Sequence, residues 1–102
     1  MRRRFVVLVD TSSKAQDDAF LDFAKKSGFG YWHWLNNSWL LTTHNLQTTS
    51  KQISDQLLLI FPNIFFLVLE IKEDGSDLWI GFGPLGDEKN MFKWIHENWK
   101  RS

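Results

Sequence analysis

The residue of this chain best placed for chemistry is Asp10, which directly follows an apolar run at positions 5–9. A carboxylate at the end of a strand can bind Mg²⁺ or Mn²⁺, because hard cations prefer oxygen ligands, and two copies could share one ion across a dimer axis. Asp17 and Asp18 fall in the first turns of the following predicted helix and could add negative charge. The alternative is that Asp10 caps or flanks this helix while the other two carboxylates face solvent.

A dense group of aromatic residues surrounds a predicted hairpin and is the second candidate for a binding site. Its members are Tyr31, Trp32, His33, Trp34 and Trp39. Such rings can stack on nucleic-acid bases, and each contact contributes ~1–3 kcal/mol. They can equally form core on one sheet face and a dimer contact on the other. Strict alternation along the strand places Leu35 on the face of Tyr31 and His33, opposite to the two neighbouring tryptophans.

Positive charge is concentrated at the two ends of the sequence, in residues 2–4 and 100–101. If these ends meet in the fold, Arg3 and Arg4 could supply cations to a ligand; otherwise they are solvated, frayed ends. Over the whole chain 12 basic residues balance 12 acidic ones, so the formal net charge is zero. A neutral chain lacks the basic excess typical of a broad nucleic-acid-binding face and favours a small ligand held by stacking and a few cations.

The length of 102 residues fits one domain with its own core, and no linker or repeat divides residues 1–102. The absence of cysteine fits a reducing compartment, so a cytoplasmic location is expected. The five apolar residues after Arg4 are too few for a signal-peptide core or a membrane span. Residues 81–86 match G-x-G-x-x-G, but the returning strand and acidic residue of a dinucleotide site do not follow, which favours a loop and helix cap.

Hydrophobic periodicity predicts the element order β-α-β-β-α-β, followed by a further strand and helix. Two capping boxes, Ser13 with Gln16 and Thr49 with Gln52, predict where the first two helices begin. The central hairpin is expected to turn at residues 36–37, two asparagines that tolerate positive φ. Split right-handed crossovers around such a hairpin give an α+β fold, the ferredoxin-like sandwich, in which two helices cover one face of an antiparallel sheet.

The predicted strands at residues 5–9 and 64–71 are apolar on both faces, unlike strands that keep one face in water. Two helices cover only one face of the sheet, so the other face must meet something else. A second copy of the chain is the simplest occupant. We therefore expect a homodimer that packs through its sheet faces, with these two strands at or near the centre of each sheet.

Five short motifs between residues 5 and 72 form a familiar series of strand ends and helix starts. They are Val7-Leu8-Val9-Asp10, Gly30-Tyr31-Trp32, Asn37-Ser38-Trp39-Leu40-Leu41, Gln52-Ile53-Ser54-Asp55 and Phe66-Leu67-Val68-Leu69-Glu70-Ile71. Together they resemble the small SinR-like proteins of bacteria and phages, which are similar to the CRISPR adaptation subunit family and to VapD ribonucleases. The resemblance implies a ferredoxin-like homodimer and, in some relatives, a metal-dependent nuclease whose first strand ends in an acidic residue, here Asp10. Basic residues often follow that Asp in the nuclease-like relatives, whereas residues 11–14 here are Thr-Ser-Ser-Lys.

These patterns predict a non-catalytic homodimer that binds a nucleotide or short nucleic acid, without a cofactor, in an aromatic-lined pocket between its subunits. The residues expected to contact that ligand are Tyr31, Trp32, His33, Trp34, Trp39, Arg3 and Arg4. The resemblance to phage-borne relatives implies a counter-defence role, such as sequestering a nucleotide immune signal. Two alternatives stay open: a metal-dependent ribonuclease that uses Asp10 with Mg²⁺ or Mn²⁺, and a structural module whose apolar face binds a different chain.

Overall fold

The chain folds into a mixed α+β structure built on one four-stranded antiparallel sheet, here described from a computed structural model for residues 2–72 and 93–99. Its elements are β1 (Arg3–Val9), α1 (Lys14–Lys26), β2 (Gly30–Leu35), β3 (Ser38–Thr43), α2 (Ser50–Ile60), β4 (Phe66–Ile71) and a π-helical turn (Ile95–Trp99). The predicted fifth strand at 78–82 and the glycine-rich motif at 81–86 lie outside the described residues. The part of the predicted last helix before residue 93 lies outside them as well.

The strands are ordered β2-β3-β1-β4 across the sheet, so β1 lies between β3 and β4. The first strand begins at Arg3, two residues earlier than its apolar run predicts, because Arg3 and Arg4 also pair with β3, opposite Thr43 and Thr42. The fourth begins at Phe66, two residues later than predicted. Strand β4 therefore borders one strand in the described part of the sheet, although its two-sided apolar sequence predicts a more central place.

Both predicted capping boxes are confirmed. The Ser13 side chain accepts a hydrogen bond from the Gln16 backbone N–H at 3.2 Å, and the Gln16 side chain accepts one from the Ser13 N–H at 2.9 Å. Thr49 and Gln52 repeat this exchange at the start of α2, at 3.2 and 3.1 Å. Each box satisfies two backbone donors that a helix start leaves without intrahelical partners, which is why four local residues suffice to predict the start.

The hairpin between β2 and β3 turns at Asn36 and Asn37 as predicted, but neither residue adopts the positive φ on which that prediction relied. Within the described residues Asn63 is the one non-glycine residue with positive φ, so neither turn residue uses the left-handed conformation. Turns with negative φ match the twist of a hairpin poorly, and the strands compensate by bulging. The register shifts between Trp32, which pairs with Leu40, and Leu35, which pairs with Ser38.

Helices α1 and α2 cover one face of the sheet, which we call the covered face, and the main core lies between these helices and the strands. Phe5, Val7 and Val9 point into this layer from β1, and Trp39 and Leu41 do so from β3. The helices contribute the buried side chains of Phe20, Ala24, Ile53 and Leu57. Burying a large apolar side chain contributes roughly 1.5–3 kcal/mol, so this face supplies much of the free energy of folding.

The second face of the sheet is covered over only part of its area, and the cover comes from the same chain. Trp32 packs there against Ile95 and Trp99 of the π-helical turn, forming a smaller buried cluster. The expectation that this whole face must await another molecule is therefore wrong for the part beneath these residues. Within the ranges described above, no helix has the length and apolar character needed to cross a membrane.

Candidate functional site

The most prominent surface of the described structure is an uncovered apolar area on the second face, which we call the open patch. Its members are Leu8, Leu35, Phe65, Leu67 and Leu69, and all five are exposed. Exposure ranges from 38 % for Leu8 to 85 % for Phe65. Isolated exposed leucines are common on proteins, but a contiguous group of this kind indicates an interaction surface.

Strand register explains why these side chains lie together. Leu35 pairs with Ser38, Ser38 with Leu8, and Leu8 with Leu67, so one row crosses all four strands. Side chains directly opposite on neighbouring strands are close enough to touch. Because Ser38 shares a face with Leu40, the bulge brings Leu35 to the face of Trp32. The strict alternation expected from the sequence, which placed Leu35 with Tyr31, is wrong for this reason.

The next two rows along the strands approach the π-helical turn and are progressively covered by it. Val6 pairs with Leu40 and Leu69 in the middle row, and Arg4 pairs with Thr42 and Ile71 in the last. Beside that last row, an added Cβ at Gly30 would lie 3.5 Å from the Trp94 ring. The second face thus changes from covered to open over a few residues along each strand.

Trp39 belongs to the covered face and has aromatic partners on both sides of its ring. It stacks on Phe20 at a centroid distance of 4.3 Å and on His33 at 3.7 Å, with interplanar angles of 11° and 5°. Tyr31 adds a tilted contact at 6.4 Å, and the His33 Nδ1 lies 2.9 Å from the Ser38 carbonyl oxygen. A base could therefore stack on Trp39 only by displacing Phe20 or His33.

The two tryptophans of β2 differ sharply in exposure. Trp32 is 5 % exposed, because Ile95 and Trp99 cover it. Trp34 is 38 % exposed and directly precedes Leu35 of the open patch. The five aromatic residues predicted as one site are thus divided between a core stack, a buried cluster and one accessible ring.

Asp10 is exposed at the end of β1 beside the open patch. Its backbone N–H donates to the Phe65 carbonyl oxygen at 2.9 Å, which fixes the start of the loop against the neighbouring strand. A shallow cavity of about 370 Å³ lies here, lined by Leu8, Val9, Asp10, Phe65, Phe66 and Leu67. The Asp10 carboxylate is the one ionisable side chain of this lining.

The other two carboxylates of the predicted metal site interact within their own helix region. Asp17 accepts a hydrogen bond from the Ser12 hydroxyl at 2.7 Å, and Asp18 pairs with Lys14 at 3.0 Å. Across residues 2–72 and 93–99, no three His, Cys, Asp or Glu side chains are grouped closely enough to hold a metal ion. Asp10 therefore belongs to no such group within the described part of the chain.

Residues near the two ends of the sequence do meet, which is one of the two possibilities that the sequence left open, and Arg3 and Arg4 lie on opposite faces of the sheet. Strand alternation directs Arg3 to the covered face, where its Nε and Nη2 donate to both Glu70 carboxylate oxygens at 2.7 and 2.8 Å. Its Nη1 donates to the Leu46 carbonyl oxygen at 2.9 Å. The hydrogen bond from Arg3 lowers the pKa of Glu70, because it stabilises the ionised carboxylate.

Arg4 is buried on the second face, where its Nε donates to the Trp99 carbonyl oxygen. Arg2 reaches the same turn, its Nη1 donating to the Asn98 carbonyl oxygen at 2.5 Å. Cations near the last carbonyls of a helical segment satisfy acceptors that have no intrahelical partner. These contacts tie the π-helical turn to β1; the predicted contribution of residues 100–101 lies outside the described residues.

The open patch contains residues that sequence reasoning did not single out as site residues. The signal for Leu8, Phe65, Leu67 and Leu69 was present in the two-sided apolar runs, which predicted an interface but not its extent. Leu35 carried no such signal, because its face depends on the bulge. The chain matches no protein-family model, and comparison with the curated proteins and with solved structures finds no match to it.

Proposed function

We propose that this chain adopts the ferredoxin-like arrangement and is related to the small SinR-like proteins. Support comes from the order β2-β3-β1-β4, in which β1 separates β3 from β4, together with helices α1 and α2 on one face. That order results when two split β-α-β units share a central hairpin. The relationship itself rests on the five sequence motifs.

The active form is a homodimer in which two copies meet at the open patch. An isologous interface needs a surface that complements itself, and the five patch residues are all apolar, so no like charges oppose one another on association. The covered half of the second face excludes a partner sheet there. Two copies therefore overlap through the open half, with their π-helical turns outside the contact.

The dimer is a non-catalytic binding protein for a nucleotide or a short nucleic acid. The observation that carries this function is the exposed ring of Trp34 on β2, the outermost strand of the described sheet, where Trp34 immediately precedes Leu35 of the open patch in the sequence. Two such rings, one from each copy, would bracket a base by stacking. Sequestration of a nucleotide signal in phage counter-defence is the biological role that fits such a protein.

Native mass spectrometry of protein taken directly from expressing cells tests both parts of this proposal. A dimer that retains a nucleotide-sized mass is expected. Trp34→Ala should then weaken binding of a nucleoside monophosphate or a short mixed-sequence RNA by roughly 1–3 kcal/mol, measured by titration calorimetry. Leu59→Ala, which removes an exposed apolar side chain from α2, serves as the control. Equal binding by a dimeric Trp34→Ala variant would contradict the function.

A metal-dependent ribonuclease is the second candidate, because Asp10 lies beside the same patch. This candidate requires the two-fold axis of the dimer to pass near Asp10, so that Mg²⁺ or Mn²⁺ takes oxygen ligands from both copies and offsets the repulsion between the two carboxylates. This candidate predicts RNA cleavage that requires the metal, stops with a chelator and is lost in Asp10→Asn while the protein stays folded. Cleavage by Asp10→Asn at the wild-type rate would eliminate it.

A further inference from the structure

A second cavity lies on the helix side of the molecule, far from the open patch in the fold. It has a volume of about 240 Å³ and lies between the end of α1 and the beginning of α2. Its lining residues are Phe23, Ser27, Phe29, Asn45, Thr48, Gln52, Ile53 and Gln56. None of these side chains is charged, and three of them are carboxamides. We call this cavity the amide cleft.

The apolar wall of the amide cleft is aromatic. Phe23 and Phe29 are both partly exposed and meet edge to face, with centroids 5.6 Å apart and an interplanar angle of 82°. Ile53 adds a buried aliphatic surface from α2. A flat ring is complementary to such a wall, because it can stack on one phenylalanine while contacting the edge of the other.

The polar wall of the cleft has a defined hydrogen-bonding character. The Gln52 side-chain oxygen already accepts from the Thr49 N–H at 3.1 Å, and the Asn45 side-chain oxygen accepts from the Gln47 N–H at 3.0 Å. The amide NH₂ groups of Asn45 and Gln52 are therefore the functions left to meet a ligand. A ligand that presents hydrogen-bond acceptors would match the donors of these two carboxamides.

This wall is also held in place before any ligand arrives. The Asn45 N–H donates to the Thr43 hydroxyl at 3.0 Å, and the Thr48 N–H donates to the Asn45 carbonyl oxygen at 3.2 Å. Gln52 is fixed by its capping box. Preorganised donors bind more tightly than mobile ones, because less conformational entropy is lost on binding.

We infer that the amide cleft binds a flat, uncharged ring that carries carbonyl acceptors, of which the uracil base is the simplest nucleic-acid example. The ring stacks on the phenylalanine wall and its two carbonyl oxygens accept from the carboxamides of Asn45 and Gln52. Neutral lining residues favour a neutral ligand, since a charged group would lose hydration without gaining a counter-charge. This site needs no second copy and is separate from the Trp34 surface.

Titration of the intact protein with uridine tests the inference, followed by side-chain amide NMR signals and by calorimetry. The Asn45 and Gln52 NH₂ signals should shift on titration, and adenosine, which lacks the two base carbonyls, should bind more weakly. The informative variant is Gln52→Glu, which keeps the capping oxygen but replaces the donor by an acceptor. Uridine affinity should fall about tenfold or more in this variant.

A matched control exists in the other capping box, since Gln16→Glu makes the same chemical change at the start of α1, outside the cleft. The uridine-induced shifts of the Asn45 and Gln52 NH₂ signals should be unchanged in Gln16→Glu and in Leu59→Ala, since neither residue lines the cleft. The inference is overturned if uridine does not bind, if Gln52→Glu binds it normally, or if Gln16→Glu is equally impaired. Loss of uridine binding in Trp34→Ala alone would place the ligand at the proposed dimer interface and would likewise reject the amide cleft.

Discussion

The two faces of the sheet are built from the same strands, yet they are completed in different ways. On one face, two helices with well-defined caps bury Phe5, Val7 and Leu41 entirely. On the other, the π-helical turn buries Trp32 but leaves Leu67 about half exposed. Because side chains alternate along a strand, neighbouring residues lie in the buried core and on the partly exposed second face.

A strand that is apolar on both faces can therefore be buried by helices on one face and only partly covered on the other. The covered face is closed by helices next to the strands in sequence. The second face is closed in part by the π-helical turn, whose Asn98 and Trp99 lie 96 and 95 positions from Arg2 and Arg4, the arginines that contact them. What remains open is a local surface at one end of the strands. We propose that the covered face supplies most of the stability and that the open patch supports association, a division that substitutions can test.

The largest effect is expected for Trp39→Ala, which removes the central ring of the stack on Phe20 and His33. Truncating a buried aromatic side chain typically costs about 3–5 kcal/mol, because packing is lost and a cavity remains. Urea unfolding measures this loss directly. Trp34→Ala on the exposed surface should cost less than about 1 kcal/mol, and similar losses for the two variants would contradict the division between faces.

Adjacent residues of β4 sharpen the comparison, because they lie on opposite faces. Val68→Lys places an ammonium group against the core beside Val7 and should destabilise the fold by about 1–3 kcal/mol. Leu67→Lys should leave the stability of the dissociated chain within about 0.5 kcal/mol. Sedimentation equilibrium should show that Leu67→Lys abolishes self-association. Undiminished dimerisation in that variant would remove the open patch as the interface.

Gly30→Ala tests how closely the covered part of the second face is packed. An added Cβ would approach the Thr42 Oγ1 to 2.6 Å, with the Trp94 ring also nearby at 3.5 Å. Overpacking of this kind should cost about 1–2 kcal/mol in urea unfolding. Thr42→Ala in the same chain should recover part of the loss, because it removes the obstructing atom. No recovery in the double variant would mean that another contact causes the destabilisation.

The smallest expected effect concerns the ion pair between Arg3 and Glu70 on the covered face. Arg3 lowers the pKa of Glu70 below its ordinary value of 4.5, so the folded state binds this proton less readily than the unfolded state. The resulting stabilisation is complete at pH values above the pKa of Glu70 in the unfolded chain. It is lost as the pH falls through the lower pKa of Glu70 in the folded protein. Melting temperatures of wild type and Glu70→Gln should therefore converge at acidic pH, and a constant difference would argue against this linkage.

Local features of the fold could be predicted from the sequence where a few neighbouring residues decide them. The capping box of Ser13 and Gln16 and the positive φ of Gly28 at the end of α1 are of this kind. The spacing of Ile95 and Trp99, four positions apart, places both on one face of a helix and so predicts that they are buried together. Their binding partner, Trp32, was not predictable, because packing over a distant strand leaves no trace in local periodicity.

The candidate site was harder to predict because it depends on single-residue features, namely a bulge within β2 and the residue at which β1 begins. One bulge in β2 moves Leu35 to the other face, and the two turn residues Asn36 and Asn37 do not by themselves predict a bulge. The apolar run predicts that β1 begins at Phe5, whereas it begins at Arg3. The sequence pattern therefore did not assign Arg3 and Arg4 to opposite faces of the sheet. A period-of-two pattern assigns faces correctly only when its starting point and its interruptions are known.

The tie between β1 and the π-helical turn also has a consequence for the order of events during folding. The pairings among the four described strands join residues closer in sequence than Arg4 and Trp99, so the sheet can form while Trp32 is still exposed. Contacts between residues 95 or more positions apart, such as those of Arg2 and Arg4, form late because they close the longest loops. A folding stage in which the sheet has formed before this tie would expose Trp32 together with the open patch, which is a surface on which incompletely folded chains can associate.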